Sequence, residues 1–395
     1  MAEDMATLGF EEAPSADEAD VVVLNTCTVV ETTEKHMLSR IADLRAKGKE
    51  VVVTGCMAKA QPQRIEIRLP DAPIIPPEEY DSFKSRMADR YGVQGCATSV
   101  DFGSEAILPI AQGCLGNCSY CITKLARGDL RSYATKDLLS RFDSFLSRGA
   151  KEILVTAQDT AAYGHDVGSS LPALLRPMLE REGDYRLRIG MTDPQSIWRV
   201  HEDLCALMDD ERLYKFLHIP VQSGSNVVLR NMRRKYTVER FFELVDSLRA
   251  SVPGISIATD IICGFPGETD EDHRMSIDLV KQLRADTVNI TRFSVRPGTD
   301  AASMKQVHGR ISAERSAELT EVKNTTELDV NTGLVGRSFL ALATEKGKDG
   351  TITRTGYYRP VVVRDDIPLG SFVEVTVAEA RPTYLLGTVK NRRSG

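Results

Sequence analysis

Hydrophobic and polar positions divide the chain into three blocks, and the first runs from about residue 19 to 95. Its runs "DVVVLNTC" and "EVVVTGC" are typical of buried strands, because consecutive apolar residues precede a polar turn. A helical stretch, Glu31 to Lys47, lies between them, and "LPDAPIIPPEEY" reads as a Pro-rich loop. Cys27 and Cys56 directly follow the two strands, at the edge where open α/β sheets bind ligands.

The second block, about residues 99–332, alternates six strand-like runs with helical stretches. The strand-like runs are "AILPIAQG", "EILVTAQ", "RLRIGM", "FLHIPVQ", "SIATDIICG" and "TVNITRFSV". This alternation predicts a parallel sheet, either an open barrel or a doubly wound sheet. Polar residues follow the strands, and a barrel would gather them at one mouth: Gln158, Asp159, Thr192, Asp193, Gln222, Ser223 and Arg292.

The third block, about residues 333–395, is rich in Val, Thr and Gly and contains five short strand-like runs. This composition and the short strand-like runs predict a small β-barrel. Residues 336–395 carry ten Lys/Arg and six Asp/Glu, a net charge of +4, whereas the whole chain carries −6. A basic tail on an acidic body suggests a polyanionic partner, although a solvated β domain with surface lysines explains the charge equally well.

Composition places the chain among soluble globular proteins. It has 395 residues, 42% hydrophobic and 27% charged. No apolar run approaches the roughly 18 residues that span a bilayer, and the acidic N-terminus lacks the layout of a signal peptide. We therefore expect a cytoplasmic protein without a membrane partner. Eight cysteines in such a chain favour metal or redox chemistry over a disulfide framework.

Three of these cysteines are closely spaced in "QGCLGNCSYCITK": Cys114, Cys118 and Cys121. Thiolates at Cys-x3-Cys-x2-Cys spacing can hold three corners of an iron–sulfur cubane, and Gly113 and Gly116 let the loop bend around it. The alternative is structural zinc, which takes four ligands. The nearest other candidates, Cys96 and His165, lie outside the loop. A three-cysteine cluster would leave one iron open to a small molecule.

The cysteine loop after the first strand of a six-unit βα domain resembles the radical S-adenosylmethionine (SAM) superfamily. The flanking blocks narrow the resemblance to the methylthiotransferases, through "VVVLNTCTVVETTEK", "VVVTGCMAK", "TAQDTAAYG", "HIPVQSGSNVVLRNMRRKYT" and "TDIICGFPGETDED". It implies an N-terminal α/β domain over residues 1–97, a partial (βα)6 radical SAM barrel over 98–332 and a TRAM β-barrel over 333–395.

The resemblance also implies two 4Fe-4S clusters. The first would sit on Cys114, Cys118 and Cys121 and bind SAM, from which an electron supplied by an external donor generates a 5′-deoxyadenosyl radical. The second, auxiliary cluster would carry or supply sulfur, and Cys27 and Cys56 match two of its three ligands. The family's third ligand, near the N-terminus, has no counterpart here. One explanation is a start at an internal Met of a longer protein; the others are that Cys96 or a small molecule fills the gap.

Several polar residues are candidates for the SAM site. By resemblance, Gln158 and Asp159 would contact the SAM amino group, although Asp159 could instead cap a helix. Arg188 is a candidate for the SAM carboxylate or for a structural ion pair. Gln222 and Ser223 could face cofactor or substrate.

The remaining two cysteines are expected to be ordinary core residues. Cys205 lies in a helical stretch and Cys263 follows a strand, where a cysteine usually behaves as a small buried hydrophobic side chain.

Two basic segments are candidates for RNA contact. "RNMRRKY" is a solvated helix face by default, but beside the barrel mouth its Arg and Lys residues could grip phosphates. "RTGYYRPVVVR" interleaves arginines with Tyr357 and Tyr358, and aromatic rings beside arginines suit RNA bases and phosphates. The alternative is a tyrosine pair half buried in the small barrel.

The substrate follows only from the resemblance. The run "LGNCSYCITKLARGDLRSY" is similar to the archaeal and eukaryotic branch, which methylthiolates C2 of N6-threonylcarbamoyladenosine beside the tRNA anticodon. A tRNA partner is therefore expected, with the sulfur source left open. The alternatives are methylthiolation of a ribosomal-protein aspartate and a non-enzymatic iron–sulfur RNA-binding protein.

Overall fold

The computed structural model describes residues 1–93 and 103–392. Cys96 and the expected boundary at residue 97 lie outside the described residues. The chain forms two compact units. The first combines the N-terminal segment with residues 120–129 and 294–302, and the second contains the remaining central and C-terminal segments.

The first unit is built on a parallel sheet in the order β1-β2-β3. Its strands are β1 (Val21–Thr26), β2 (Glu50–Gly55) and β3 (Ile74–Ile75). The two predicted strands are confirmed, but the prediction of a loop over "LPDAPIIPPEEY" is wrong in part. Ile74 and Ile75 pair with β2, and residues Pro77–Ser82 form a 3-10 helix.

Helices cover both faces of this sheet. They are α1 (Ala2–Thr7), α2 (Glu31–Ala46), α3 (Cys56–Ala60), α4 (Pro62–Glu66), α5 (Phe83–Tyr91) and α6 (Ile122–Arg127). Val51 and Val53 pack in one core with residues of α2, and Val52 packs in another with residues of α5. Because successive strand residues point to opposite faces, a sheet covered on both sides requires the unbroken apolar run seen in the sequence.

The second unit contains six parallel strands. They are β4 (Glu105–Pro109), β7 (Glu152–Thr156), β8 (Arg186–Ile189), β9 (Phe216–His218), β10 (Ser256–Cys263) and β11 (Thr287–Arg292), with a small antiparallel pair, β5 (Ala111–Gln112) and β6 (Arg131–Ser132). Bridges from Leu187 to Leu213 and from Met191 to His218 join β8 to β9. The strands therefore follow one another in chain order, which is the open barrel rather than the doubly wound alternative.

Helices pack on the outside of this barrel. They are α7 (Thr135–Ser147), α8 (Leu171–Leu179), α9 (Pro194–Ile197), α10 (His201–Leu207), α11 (Asn226–Asn231), α12 (Val238–Ser251), α13 (Asp270–Leu283) and α14 (Gly309–Thr332). Leu187 and Ile189 belong to the core that these helices share with the sheet. Arg188 lies between them on β8 and therefore faces the inside of the barrel. Cys205 and Cys263 are buried in the same core, as predicted.

The C-terminal block is a closed five-stranded barrel in the order β12-β13-β14-β16-β15. Its strands are β12 (Ser338–Gly347), β13 (Gly350–Thr355), β14 (Pro360–Val363), β15 (Phe372–Ala380) and β16 (Leu385–Arg392). Small and branched side chains such as Ala341, Val361 and Val375 fill its interior. The predicted small β-barrel is confirmed. Across the described ranges, no helix has the length and apolar character needed to cross a bilayer.

Candidate metal centre and its surroundings

The loop that carries Cys114 and Cys118 follows β4 and is held from two directions. The Gly113 N–H donates to Gln158 Oε1 at 2.7 Å, which ties the start of the loop to the segment after β7. Ser119 donates through its N–H to the Met232 carbonyl at 3.1 Å and through its hydroxyl to the Asn231 carbonyl at 2.8 Å. The structure thus places Gln158 beside the cysteine loop.

Both thiols lie beside Gly116. A Cβ built on Gly116 would be 3.3 Å from Cys114 Sγ and 3.8 Å from Cys118 Sγ, so a larger residue would crowd the two sulfur atoms. The Gly116 N–H also donates to Cys114 Sγ at 3.2 Å. Among the described side chains, no three potential ligands are grouped around a single ion. A cubane spreads its thiolates over different iron corners, and two thiols flanking one glycine fit that arrangement.

Burial raises the pKa of the Cys114 thiol to about 11, and the nearby Asp159, Cys118 and Asp193 add to the effect. A metal ligand must be deprotonated, so iron binding has to displace this proton.

Cys121 belongs to the first unit. It is the residue before α6, at its N-cap position, and its backbone is extended. Further along this helix, Arg127 Nε donates to Cys56 Sγ at 3.3 Å, and the Arg127 guanidinium stacks over Tyr80. The helix that follows the third cysteine of the triplet is therefore in contact with one of the two predicted auxiliary ligands.

Cys27 and Cys56 leave the same edge of the first sheet, because Thr26 pairs with Gly55 in register. The strands approach so closely there that a Cβ on Gly55 would lie 2.2 Å from the Thr26 carbonyl oxygen, and Gly55 has a φ of +92°. Only glycine accommodates both constraints. The structure brings the two predicted cysteines to the ends of neighbouring strands.

Arg234, one of the four basic residues of "RNMRRKY" with Arg230, Arg233 and Lys235, has a side chain that is only 8% exposed. Its guanidinium donates to Cys118 Sγ at 3.2 Å and pairs with Asp193 at 2.9 Å. It also donates to the hydroxyl of Tyr236 at 2.8 Å and to the Pro220 carbonyl at 3.2 Å. The default reading of "RNMRRKY" as a helix face is wrong for this residue, because α11 ends at Asn231 and Arg234 lies in the turn beyond it.

A cavity of about 230 Å³ opens beside Cys118. Its lining includes the predicted residue Asp159 together with Asp193, Ser196, Arg199, Arg233, Arg234 and Lys235. Burial and the neighbouring Asp193 carboxylate raise the pKa of Asp159 to about 6. Asp159 occupies the N-cap position of a 3-10 helix, Thr160–Ala162, and its Oδ1 accepts the Asp193 N–H at 3.0 Å. Hydrogen bonds from the backbone of Asp193 and Ala161 offset part of the rise in its pKa. The cavity offers both carboxylates and cations to a ligand.

Gln222 and Ser223 lie past the end of β9. Gln222 is a non-glycine residue at a φ of 72°, and its backbone pairs with Asp260 and Ile262 of β10. Its Oε1 is buried and has no hydrogen-bond partner within the described part of the chain. A strained backbone and an unsatisfied amide at a barrel mouth are features of functional positions. Ser223 is buried, and its Oγ accepts the Ser225 N–H at 3.1 Å.

Arg188 does not line the cavity beside Cys118. Its guanidinium stacks over Phe216 and Tyr358, with Cζ 5.3 Å and 4.9 Å from the ring centroids, and it lines a second cavity. Arg188 forms no direct ion pair with a described carboxylate, and the buried Glu152 interacts with it only through space.

Part of the segment "RTGYYRPVVVR" packs against the central barrel. The Tyr358 ring contacts Tyr214, with centroids 4.9 Å apart, and Arg359 pairs with Asp286 and donates to Asn331 at 2.8 Å. These two side chains are therefore held by the central barrel, and RNA contact by the segment stays a prediction. Their partners come from distant parts of the sequence, which local pattern does not reveal.

Comparison with known families agrees with this architecture. The profile described as "Radical SAM superfamily" matches residues 108–280, "Uncharacterized protein family UPF0004" matches residues 1–75 and "TRAM domain" matches residues 334–390. The radical SAM methyltransferase TsrM from Kitasatospora setae, solved with tryptophan and a SAM analogue, superimposes with a TM-score of 0.55 at 15% identity. The match covers 85% of this chain and 69% of that one, and it supports the fold alone.

Closer relatives span nearly the whole chain. A protein of Archaeoglobus fulgidus named "Probable threonylcarbamoyladenosine tRNA methylthiotransferase" is 38% identical over 96% of this chain and 92% of its own length. The "Threonylcarbamoyladenosine tRNA methylthiotransferase" of Homo sapiens is 35% identical over 98% of this chain and 70% of its own length.

Proposed function

The chain belongs to the threonylcarbamoyladenosine tRNA methylthiotransferase family, and from this premise we propose that it converts N6-threonylcarbamoyladenosine in tRNA to its 2-methylthio derivative. It is a radical SAM enzyme, which argues against the non-enzymatic alternative. The names of its relatives favour tRNA over a ribosomal-protein aspartate. The observation that carries the proposal is the pair of thiols at Gly116 beside a polar cavity, in a chain that matches such relatives over nearly its full length.

Replacing the C2 hydrogen of adenine by a methylthio group requires a radical, because that C–H bond is inert to ordinary acid–base chemistry. When bound, a 4Fe-4S cluster with SAM supplies the 5′-deoxyadenosyl radical, and the protein contributes binding and exclusion of water. We assign Cys114, Cys118 and Cys121 as the cluster ligands.

Around this cluster, Gln158 orients the cysteine loop through Gly113. Arg234 donates to the Cys118 sulfur, and hydrogen bonds of this kind tune the reduction potential of a cluster. Asp159 and Gln222, with Ser223 beside it, are the polar groups available to SAM at the mouth.

We assign Cys27 and Cys56 to the auxiliary cluster, and Arg127 as the residue that holds the Cys56 sulfur by a hydrogen bond. The third ligand, the sulfur source and the electron donor are not identified by the described residues. The domains would follow the expected boundaries, with catalysis in residues 98–332 and RNA binding by residues 333–395.

The test uses the anaerobically reconstituted protein with an anticodon stem-loop containing threonylcarbamoyladenosine. We expect mass spectrometry to detect the 2-methylthio nucleoside together with 5′-deoxyadenosine. A variant with Cys114→Ala, Cys118→Ala and Cys121→Ala should lose both products and about four irons, because one cubane is removed. The control Cys205→Ala removes a buried thiol of the core and should keep both products. Formation of products by the triple variant would refute the assignment.

The same assay addresses the auxiliary cluster. A Cys27→Ala/Cys56→Ala variant should still form 5′-deoxyadenosine but no methylthio nucleoside. Loss of both products in this variant would contradict a separate sulfur-carrying site.

A further inference from the structure

A second cavity, of about 400 Å³, lies between the inner face of the central sheet and the C-terminal barrel. Its volume is within the range of pockets that bind small organic ligands. Residues from both sides line it, among them Arg188, His218, Asn289, Arg354, Tyr357 and Tyr358.

Two arginines of this cavity share one aromatic ring. The Cζ atoms of Arg188 and Arg354 lie 4.9 Å and 4.6 Å from the centroid of Tyr358. Arg188 Nε is buried and has no hydrogen-bond partner in the described part of the chain. Neither guanidinium forms a direct ion pair with a described carboxylate, so two half-buried like charges are held close to each other. The buried Glu152 carboxyl interacts with both charges, but through space and without a hydrogen bond to either.

The carboxylates nearby are engaged elsewhere. Asp286 pairs with Arg359. Asp260 accepts from His218 Nε2 at 2.7 Å and from Asn289 at 2.8 Å. Glu152 accepts the Tyr214 hydroxyl at 2.8 Å. Burial raises the pKa of this carboxyl, and the Tyr214 hydrogen bond and the charges of Arg354 and Arg188 offset part of that rise. Glu105 is exposed at the start of β4.

Unpaired buried charge is costly, and a bound anion would remove that cost. Guanidinium groups also suit oxyanions, because their planar donors match a carboxylate or a phosphate.

We propose that Arg188 and Arg354 form an oxyanion pocket for the RNA substrate, and that its occupant is the carboxylate of the N6-threonylcarbamoyl group. This assignment rests on the proposed function, which supplies a substrate with a carboxylate next to the reacting base. A backbone phosphate of the same RNA has the same chemistry and is the competing source. Tyr358 holds both guanidinium groups in place, and Arg354 makes the C-terminal barrel part of the substrate site.

The experiment compares two stem-loops of identical sequence, one with threonylcarbamoyladenosine and one with unmodified adenosine. Dissociation constants are measured by fluorescence anisotropy on the reconstituted full chain, so the readout does not depend on turnover. The variants are Arg354→Met and Arg354→Lys. The matched control is Arg337→Met, which removes the same charge from an exposed position of the same domain and lines neither cavity.

A carboxylate occupant predicts that Arg354→Met weakens binding of the modified stem-loop about tenfold or more relative to Arg337→Met, as loss of a charged hydrogen bond would. The unmodified stem-loop should bind both variants equally. If Arg354→Met loses the same affinity for both stem-loops, the carboxylate assignment is refuted and a backbone phosphate is the occupant of the pocket. No loss beyond that of Arg337→Met with either stem-loop would overturn the pocket.

Two further measurements keep the result interpretable. Thermal melting separates a folding defect from a binding defect, and Arg354→Lys, which keeps the charge, should recover part of the affinity. The wild-type chain is assayed for methylthiolation in parallel. If it does not modify the stem-loop, the proposed function fails; if it does and Arg354→Met binds like the control, only the pocket fails.

Discussion

The two cavities of the second unit use arginine in opposite ways. Beside Cys118, Arg234 is satisfied within the protein, by Asp193, Tyr236, the Pro220 carbonyl and the cysteine sulfur. In the cavity beside the C-terminal barrel, Arg188 and Arg354 stack on an aromatic ring and form no direct ion pair with a described carboxylate. An arginine whose donors are already occupied positions its neighbours, whereas an arginine without a counter-ion is available to a ligand.

Among the variants that test this comparison, Arg234→Met should lower the unfolding free energy the most. The variant leaves Asp193 without its cation next to the buried Asp159, and breaking a buried ion pair costs about 3–5 kcal/mol of unfolding free energy. The loss of unfolding free energy is measured by urea unfolding, with the fluorescence of Trp198, the single tryptophan, as the signal. Arg230→Met, on the exposed side of α11, is the control and should change little. Equal stabilities would mean that Arg234 does not organise this cavity.

Arg359 and Arg354 lie in the same β-hairpin and allow a paired arginine to be compared with one that has no direct ion pair among the described residues. Arg359→Met removes the partner of Asp286, which is largely buried, and should lower the unfolding free energy by about 3 kcal/mol. Arg354→Met should change the unfolding free energy by less than about 1 kcal/mol, because no direct ion pair with a described carboxylate is lost. The same urea unfolding applies to both. A larger loss for Arg354→Met than for Arg359→Met would show that the cavity arginine is structural.

The smallest expected effect is a pH dependence at Asp159. Its pKa is raised from 3.8 to about 6 in the folded protein, so the folded state binds this proton more tightly than the unfolded chain does. The contribution of Asp159 to stability is therefore fully present below pH 4 and is lost as the pH rises through about 6.

Relative to Asp159→Asn, the unfolding free energy of the wild-type protein should fall by roughly 2 kcal/mol between pH 4.5 and pH 7, because each pKa unit corresponds to about 1.4 kcal/mol. Urea unfolding at a series of pH values measures the difference. A constant difference between the two proteins would show that Asp159 is ionised throughout.

The sequence predicted most of the fold because its signals are local. Continuous apolar runs identified β1, β2 and the barrel strands, and the spacing of Cys114, Cys118 and Cys121 identified the cysteine loop without any tertiary information. Ile74–Ile75 was missed because two residues in a Pro-rich stretch give no periodicity.

The remaining features depend on contacts between distant residues. Arg234 appeared in a basic run like any solvated arginine, and only the fold brings Asp193 and Cys118 to it. Arg188 matched a SAM-binding position by resemblance, yet its neighbours Phe216 and Tyr358 come from another strand and another domain. No periodicity in the sequence predicts such long-range contacts.

Strand β8 and the residues just after it line both cavities of the second unit. The strand carries Arg188 into one cavity, and Asp193, five residues further on, lines the other. If a ligand in one cavity fixes this segment, it changes the affinity of the other cavity through a single short stretch of backbone. Such coupling is reciprocal: whatever factor the RNA anion contributes to cofactor affinity, the cofactor returns to the RNA. The order in which the two bind would then leave the stability of the ternary complex unchanged.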